Sequence, residues 1–255
     1  MRARKRFGQH FLVDEQVLDA IVRSIAPRSN DRMLEIGPGR GALTALLCGE
    51  LDELHAVELD RDLIASLLRR FANLRLTEGD ILDVDFATTL GAGGWRLVGN
   101  LPYNLSSPLL LKLADYPAQI RDMHFMLQKE MAERMAASPG SKAWGRLSVM
   151  LQLDWQVESL FDVEPQAFNP PPKVMSQVVR LTPLAQPVAV KSKSELRRVV
   201  AAAFGQRRKT LNNSLRDYAF DFPAFGLEGS QRAEQLSVEQ FVALANFSVD
   251  NPAAG

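Results

Sequence analysis

Cysteine is almost absent from this 255-residue chain: Cys48 stands alone, so no internal disulfide framework can form. Histidine is also scarce. His10, His55 and His124 are scattered, no Cys/His spacing of the zinc-binding kind occurs, and no metal is expected. No apolar run approaches the roughly 20 residues of a membrane helix. The basic opening MRARKRFGQHF is not followed by the apolar core of a secretory signal. The expectation is a cytoplasmic protein without disulfide, zinc site or membrane span. Net charge is absent as well, since 30 Lys and Arg balance 30 Asp and Glu, which argues against a generic polyanion binder.

The charge is nevertheless unevenly placed. Arg2, Arg4, Lys5 and Arg6 open the chain with no acid among them. A second basic cluster runs from Lys191 to Arg216 against Glu195 alone, and the tail after it is acidic. That pattern suggests a local basic surface, although two solvated helix faces would produce it too. Apolar residues make up 46% of the chain, ordinary for a globular protein and enough for one sizeable core plus an appendage.

Short apolar runs alternate with helical periodicities. RMLEI, ELHAVEL, LRLTEGD, WRLVGN and DMHFMLQ read as strands. EQVLDAIVRSIA (capped by Asp14), ALTALLCGEL, RDLIASLLRRF, SPLLLKLAD and KEMAERMAA read as helices. This alternation predicts an α/β fold, a mostly parallel sheet with helices on both faces. RLSVMLQLDW fits either a helix or a strand, while QVESLFDV and SQVVRLTP fit an antiparallel edge. The expected organisation is an α/β domain over residues 1–183, a linker over 184–193 and a small all-helical domain over 194–255. The last domain should hold helices over SELRRVVAAAFG, QRRKTLNNSLRDYA and SVEQFVALANF, with Ser194 and Ser237 as N-caps.

Chemistry concentrates at the strand ends. In LEIGPGRGALT (Leu34–Thr44) a buried strand enters a glycine-rich turn that opens a helix, where Gly37 and Gly39 let a ligand approach the backbone. Taken alone, a plain strand–helix connection would look the same. Glu58 ends the next strand, about twenty residues after the first glycine, the place of a carboxylate that accepts ribose hydroxyls. Asp80 ends the third, where it can accept from an adenine amino group while Ile81 covers the ring. Three such features in succession describe a nucleoside pocket at the carboxyl edge of an open sheet. No phosphate-gripping lysine of the P-loop kind and no hydrolytic triad accompanies them. A nucleoside ligand without phosphate machinery points to S-adenosylmethionine.

The fourth strand ends in VGNLPYNLSSPLL (Val98–Leu110). Pro102 cannot donate to a sheet ladder, and Asn100 leaves a carboxamide near the interior that needs partners. In the order of EIGPGRGALT, VELD, GDIL and NLPY the chain resembles class I S-adenosylmethionine-dependent methyltransferases acting on adenine N6. With RFGQHFL, FNPPPKVMSQVVRL and AAFGQRRKTLNNSL added, it resembles the ribosomal RNA adenine dimethyltransferase family from Phe7 to about Leu215. The likeness is greatest to the branch that dimethylates two adjacent adenines near the 3′ end of small-subunit ribosomal RNA.

The resemblance implies a class I (Rossmann-like) catalytic domain and roles at matched positions. His10 and Leu12 would lie over the cofactor, and Gly37 with Gly39 would admit its methionine part. Glu58 and Leu59 would meet the ribose side, Asp80 and Ile81 the adenine. Asn100 would stand between cofactor and target base. Many family members carry Asn where this chain has His10. The chemistry of NLPY agrees: the Asn100 side-chain oxygen and the Leu101 or Pro102 carbonyl can accept both amine hydrogens of adenine. Tyr103 offers a stacking face, and Phe168 can cover the other face or pack in the core. Ser106 or Ser107 with Pro108 starts the next helix. Arg4, Lys5, Arg6, Lys173, Arg207, Arg208 and Lys209 would contact RNA phosphates. The implied partner is small-subunit ribosomal RNA within an immature small subunit, met by a monomer. The alternatives are a relative that methylates large-subunit RNA and confers macrolide resistance, and a mainly structural ribosome-assembly factor.

Overall fold

The computed structural model describes residues 10–102, 105–206, 208–218 and 220–251. The chain divides into two compact units, Met1–Ala132 with Val157–Pro183, and Glu133–Gln156 with Leu184–Gly255.

The first unit is built on a seven-stranded sheet. In chain order it carries β1 (Phe11–Leu12), α1 (Glu15–Ile25), β2 (Arg32–Ile36), α2 (Ala42–Glu50), β3 (Leu54–Glu58), α3 (Arg61–Arg70), β4 (Leu74–Glu78), α4 (Phe86–Leu90), β5 (Trp95–Asn100), α5 (Ser106–Leu113) and β6 (Ile120–Gln128). The chain then passes through α6 (Lys129–Met135) and α7 (Arg146–Gln152) to β7 (Trp155–Val163), β8 (Phe168–Asn169) and β9 (Ser176–Pro183). The sheet order is β4-β3-β2-β5-β6-β9-β7, with β1 and β8 forming a separate pair. Strands β2 to β6 run parallel, and β9 lies antiparallel to β6, as expected for QVESLFDV and SQVVRLTP at one edge. The order reverses between β2 and β5, so a crevice opens outside their carboxyl ends. This is a Rossmann-like α/β architecture.

Local chemistry fixes these elements. Asp14 caps α1, its Oδ1 accepting from Gln16 N at 2.9 Å and Val17 N at 3.1 Å. Leu18, Ile21 and Ile25 recur at helical spacing and bury against Met33, Val98 and Met126 of the sheet core. The far end of α1 is held by a buried cation. Arg96 donates from Nη2 to Ile25 O (2.5 Å) and from Nη1 to Ala26 O (3.3 Å) and Asp31 Oδ2 (2.7 Å), while Nε reaches both oxygens of Asp122 at 3.0 Å. RLSVMLQLDW resolves as helix α7 and then the start of β7.

The second unit contains α7, α8 (Lys193–Gly205), α9 (Leu211–Ser214) and α10 (Val238–Asp250). The sequence reading placed residues 133–156 in the first domain, whereas here they group with the C-terminal helices. The ties are visible: Trp144 Nε1 donates to Leu236 O at 3.0 Å, Leu184 N to Asp154 O at 2.8 Å, and Lys193 Nζ to Asp154 Oδ2 at 2.6 Å. Ser192, not Ser194, caps α8, accepting from Glu195 N. Ser237 caps α10 as expected, with Gln240 completing a capping box. The long helix expected over QRRKTLNNSLRDYA does not form. Leu211 N and Asn212 N donate to Gln231 O and Gly229 O, and Thr210 bridges to Arg232, so this backbone pairs with 229–232, and among the described residues helical structure is confined to the single turn of α9 and a 3-10 turn over Arg216–Tyr218.

Candidate active site

The crevice begins where β2 ends. Gly37 and Gly39 both take positive φ (66° and 58°). A methyl on Gly37 would meet nothing within 4 Å, so open space for a ligand lies over its backbone, whereas a methyl on Gly39 would press the Phe11 ring at 3.2 Å. Glu58, at the end of β3, braces this turn. Its Oε2 accepts from Gly39 N at 3.0 Å and its Oε1 from Asp60 N at 2.8 Å. A carboxylate has about four lone-pair sites, so each oxygen keeps capacity for a hydroxyl. Burial pushes Glu58 up from the usual carboxylate range, against the lowering effect of those N–H donors.

One strand farther out, Asp80 Oδ1 accepts from Leu82 N at 2.9 Å, and Oδ2 is not engaged among the described residues. Ile81 is buried beside it, while Leu59 at the tip of β3 is 43% exposed, an apolar side chain open to solvent on the same edge. Neither pair lines the deep part of the crevice. That part is a solvent-open cleft lined by Phe11, Leu12, Glu35, Gly37, Asn100 and His124 among others.

At the end of β5, Asn100 Nδ2 donates to His10 O at 3.0 Å, which leaves its Oδ1 without a donor among the described residues. Leu101 N donates to Met126 O at 3.1 Å, so the sheet ladder continues to that residue. The Pro102 carbonyl is taken: Leu105 N and Ser106 Oγ both donate to it at 3.0 Å. Of the two backbone acceptors that the sequence offers, only the Leu101 carbonyl receives no donor among the described residues. α5 starts at Ser106 itself, whose hydroxyl turns back to Pro102 rather than capping the helix.

Several expected residues sit elsewhere. His10 gives its carbonyl to Asn100, while its ring Nδ1 lies 2.8 Å from Pro170 O. Phe168 is only 4% exposed and packs in the apolar core with Leu12 and Leu18, so its ring is not an open face for a base. It reaches that position through an antiparallel pair the sequence did not announce, Leu12 opposite Phe168 and Phe11 opposite Asn169. Lys173, Arg208 and Lys209 are exposed. Tyr103, Arg4, Lys5, Arg6 and Arg207 lie outside the described residues.

Two cleft residues escaped the sequence reading. His124 is buried, with Nδ1 3.3 Å from Asp122 Oδ1 and Nε2 without a hydrogen-bond partner among the described residues. Glu35 is 2% exposed and accepts from Thr44 Oγ1 at 2.7 Å. Burial, with a smaller contribution from Glu58, pushes the Glu35 carboxyl up to about 7. The signal for both is a polar residue at a buried strand position, Glu35 in RMLEI and His124 in DMHFMLQ. A raised folded-state pKa means the favourable, protonated state is lost as pH rises through about 7. Glu35→Gln is expected to remove that loss, an effect of roughly 3 kcal/mol at high pH. Melting temperature followed from about pH 4 to 9 tests this: the wild type should fall relative to the variant between about pH 4.5 and 7 and run parallel to it above, and curves parallel throughout would contradict it.

The match to known proteins spans nearly the whole chain. The family model described as ribosomal RNA adenine dimethylase matches residues 1–250. The ribosomal RNA small subunit methyltransferase A of Aromatoleum aromaticum is 54% identical over 251 residues, covering 96% of this chain and 94% of the relative. Among solved structures, a dimethyladenosine transferase from Plasmodium falciparum superimposes with a TM-score of 0.81 at 26% identity, covering 94% of this chain and 98% of that one. The 23S rRNA methyltransferase ErmE gives 0.70 at 25% identity, covering 92% and 98%.

Proposed function

The chain belongs to the ribosomal RNA adenine dimethylase family, and from that membership we propose that it dimethylates the N6 amines of two adjacent adenines near the 3′ end of small-subunit ribosomal RNA, using S-adenosylmethionine. The high identity to small-subunit methyltransferases, against the much lower identity to a large-subunit enzyme, favours the small-subunit substrate. The observation that carries the catalytic reading is the turn after β5, where Asn100, which lines the cleft, and the next residue offer an Oδ1 and a Leu101 carbonyl that receive no donor among the described residues.

The residues present fit S-adenosylmethionine. Gly37 leaves its backbone open to the methionine part, Glu58 keeps lone pairs for ribose hydroxyls, and Asp80 keeps one oxygen for the adenine amino group. The Glu35 carboxyl, which burial pushes up to about 7, lines the cleft, where an α-ammonium group beside it would favour its ionised form. When bound, the cofactor supplies an electrophilic methyl group on a sulfonium.

The protein's part is positioning and electrostatics. The N6 lone pair of adenine is conjugated with the ring and is a poor nucleophile. Two acceptors that hold both amine hydrogens favour a more tetrahedral nitrogen, with its lone pair directed at the methyl group. The proton becomes acidic as the new N–C bond forms, so no dedicated base is required. The target base must be flipped out of its stack, at a cost of a few kcal/mol, and Tyr103 offers a stacking surface that offsets part of it. Exposed Lys173, Arg208 and Lys209, with the basic opening residues, supply phosphate contacts that position the RNA. The protein acts as a cytoplasmic monomer on an immature small subunit.

Mapping N6,N6-dimethyladenosine in ribosomal RNA from cells with and without the protein tests this reading. Loss of the paired modification near the small-subunit 3′ end is expected. An unchanged small-subunit map, with a missing mark in large-subunit RNA, would overturn it.

A further inference from the structure

The cofactor-adenine residue and the target-base turn sit on different strands, and one side chain links their supports. We propose that Lys112 is a positioning residue that sets the adenine-reading loop and ties it to the helix rooted in the catalytic turn. This rests on the reading of Asp80 as the acceptor for the cofactor's adenine amino group.

The loop between Glu78 and Phe86 carries Asp80 and contains no helix or strand. Its internal backbone support includes a single turn, Asp83 N to Asp80 O at 2.9 Å. From α5, the Lys112 ammonium reaches into it and donates to Leu82 O at 2.5 Å and Val84 O at 2.7 Å. The same ammonium lies 5.3 Å from the centre of the Phe86 ring, the first residue of α4. Leu82 is the pivot. Its N–H donates to Asp80 Oδ1 and its C=O accepts from Lys112, so one residue connects the ammonium to the carboxylate that reads the base. A charged donor bridging two carbonyls holds a loop more firmly than neutral contacts do. The other end of α5 starts on Pro102, whose carbonyl receives Leu105 N and Ser106 Oγ. The helix thus spans from the turn offering Asn100 and Leu101 to the loop offering Asp80.

If Lys112 only stabilised the fold, its loss would lower the melting point and leave ligand preference alone. If it positions Asp80, its loss must erode recognition of the adenine amino group. The test is calorimetric binding of S-adenosylhomocysteine and S-inosylhomocysteine, which carries a carbonyl in place of that amino group, to the full-length wild type and to Lys112→Met, Lys112→Arg and Asp80→Ala. The wild type is expected to prefer the adenosyl ligand by about 10-fold or more, the size of one buried hydrogen-bond mismatch. Asp80→Ala should abolish the preference, Lys112→Met should reduce it to within about threefold of unity, and Lys112→Arg should restore most of it. A Lys112→Met protein that keeps the wild-type ratio, whatever its melting point, overturns the role given to Lys112 while leaving Asp80 in place. An Asp80→Ala protein that keeps the ratio overturns the reading of Asp80, and the role of Lys112 with it.

Discussion

Replacing Asn100 by alanine is expected to lower kcat by about 10²- to 10³-fold, the loss seen when one preorganised electrostatic partner is removed from a transition state. The expectation follows from what Asn100 does not bond to. Its Nδ2 is committed to His10 O, and its Oδ1 receives no donor among the described residues. The Leu101 carbonyl cannot replace it, because holding both amine hydrogens takes two acceptors, and the Pro102 carbonyl already receives two donors from the start of α5. Asn100→Asp keeps an acceptor but sets a carboxylate against the His10 carbonyl, so its activity should fall between wild type and the alanine variant. Single-turnover methyl transfer to immature small subunits, with S-adenosylhomocysteine binding measured in parallel, reads the effect. A fall in turnover with cofactor affinity changed by less than about tenfold supports a role toward the target amine. An equal loss of both would place Asn100 in cofactor binding alone.

Much of this site could be read from the sequence because it is local. Each strand end carries its own polar signal, and RMLEI, WRLVGN and SQVVRLTP form strands with the bounds expected. Glycine-rich turn, Glu58, Asp80 and Asn100 then fall on one edge because parallel strands end together. What was not legible depends on partners distant in sequence. The pairing of Phe11–Leu12 with Phe168–Asn169 joins segments some 160 residues apart through two-residue strands, too short for any periodicity to mark. Phe168 is buried by that pairing. The helix expected over QRRKTLNNSLRDYA gives way to hydrogen bonds from Leu211 and Asn212 N–H to the Gln231 and Gly229 carbonyls, again a non-local competitor. Glu35 and His124 read simply as interior positions, because alternation reports burial and says nothing about which buried side chain borders a cleft.

Arg96→Met is expected to cost about 3–5 kcal/mol of stability, the loss typical when one partner of a buried ion pair is removed. For a protein of this size that is a fall of roughly 10 °C in melting temperature. The side chain of Arg96 is 5% exposed, those of Asp31 and Asp122 8% and 10%, and methionine would leave both carboxylates with too little compensation. It would also strip the cation from Ile25 O and Ala26 O, where it complements the carboxyl end of the α1 dipole. The pH dependence separates lost charge pairing from lost packing. Burial acts to raise both carboxyls, but Arg96 and its neighbours hold Asp31 low, and His124 and Arg96 hold Asp122 low. A depressed folded-state pKa gives stability that is present above the unfolded value and is lost as pH falls through the folded one. The wild type should therefore lose this contribution only in acid, below about pH 4. In Arg96→Met burial is left with weaker opposition, the two pKa values should rise, and the deficit should shrink as pH is lowered from 7 to 5. Adding Asp122→Asn should recover part of the loss at pH 7. A deficit that stays constant with pH and is untouched by Asp122→Asn would mean that Arg96 acts through packing and not through its charge.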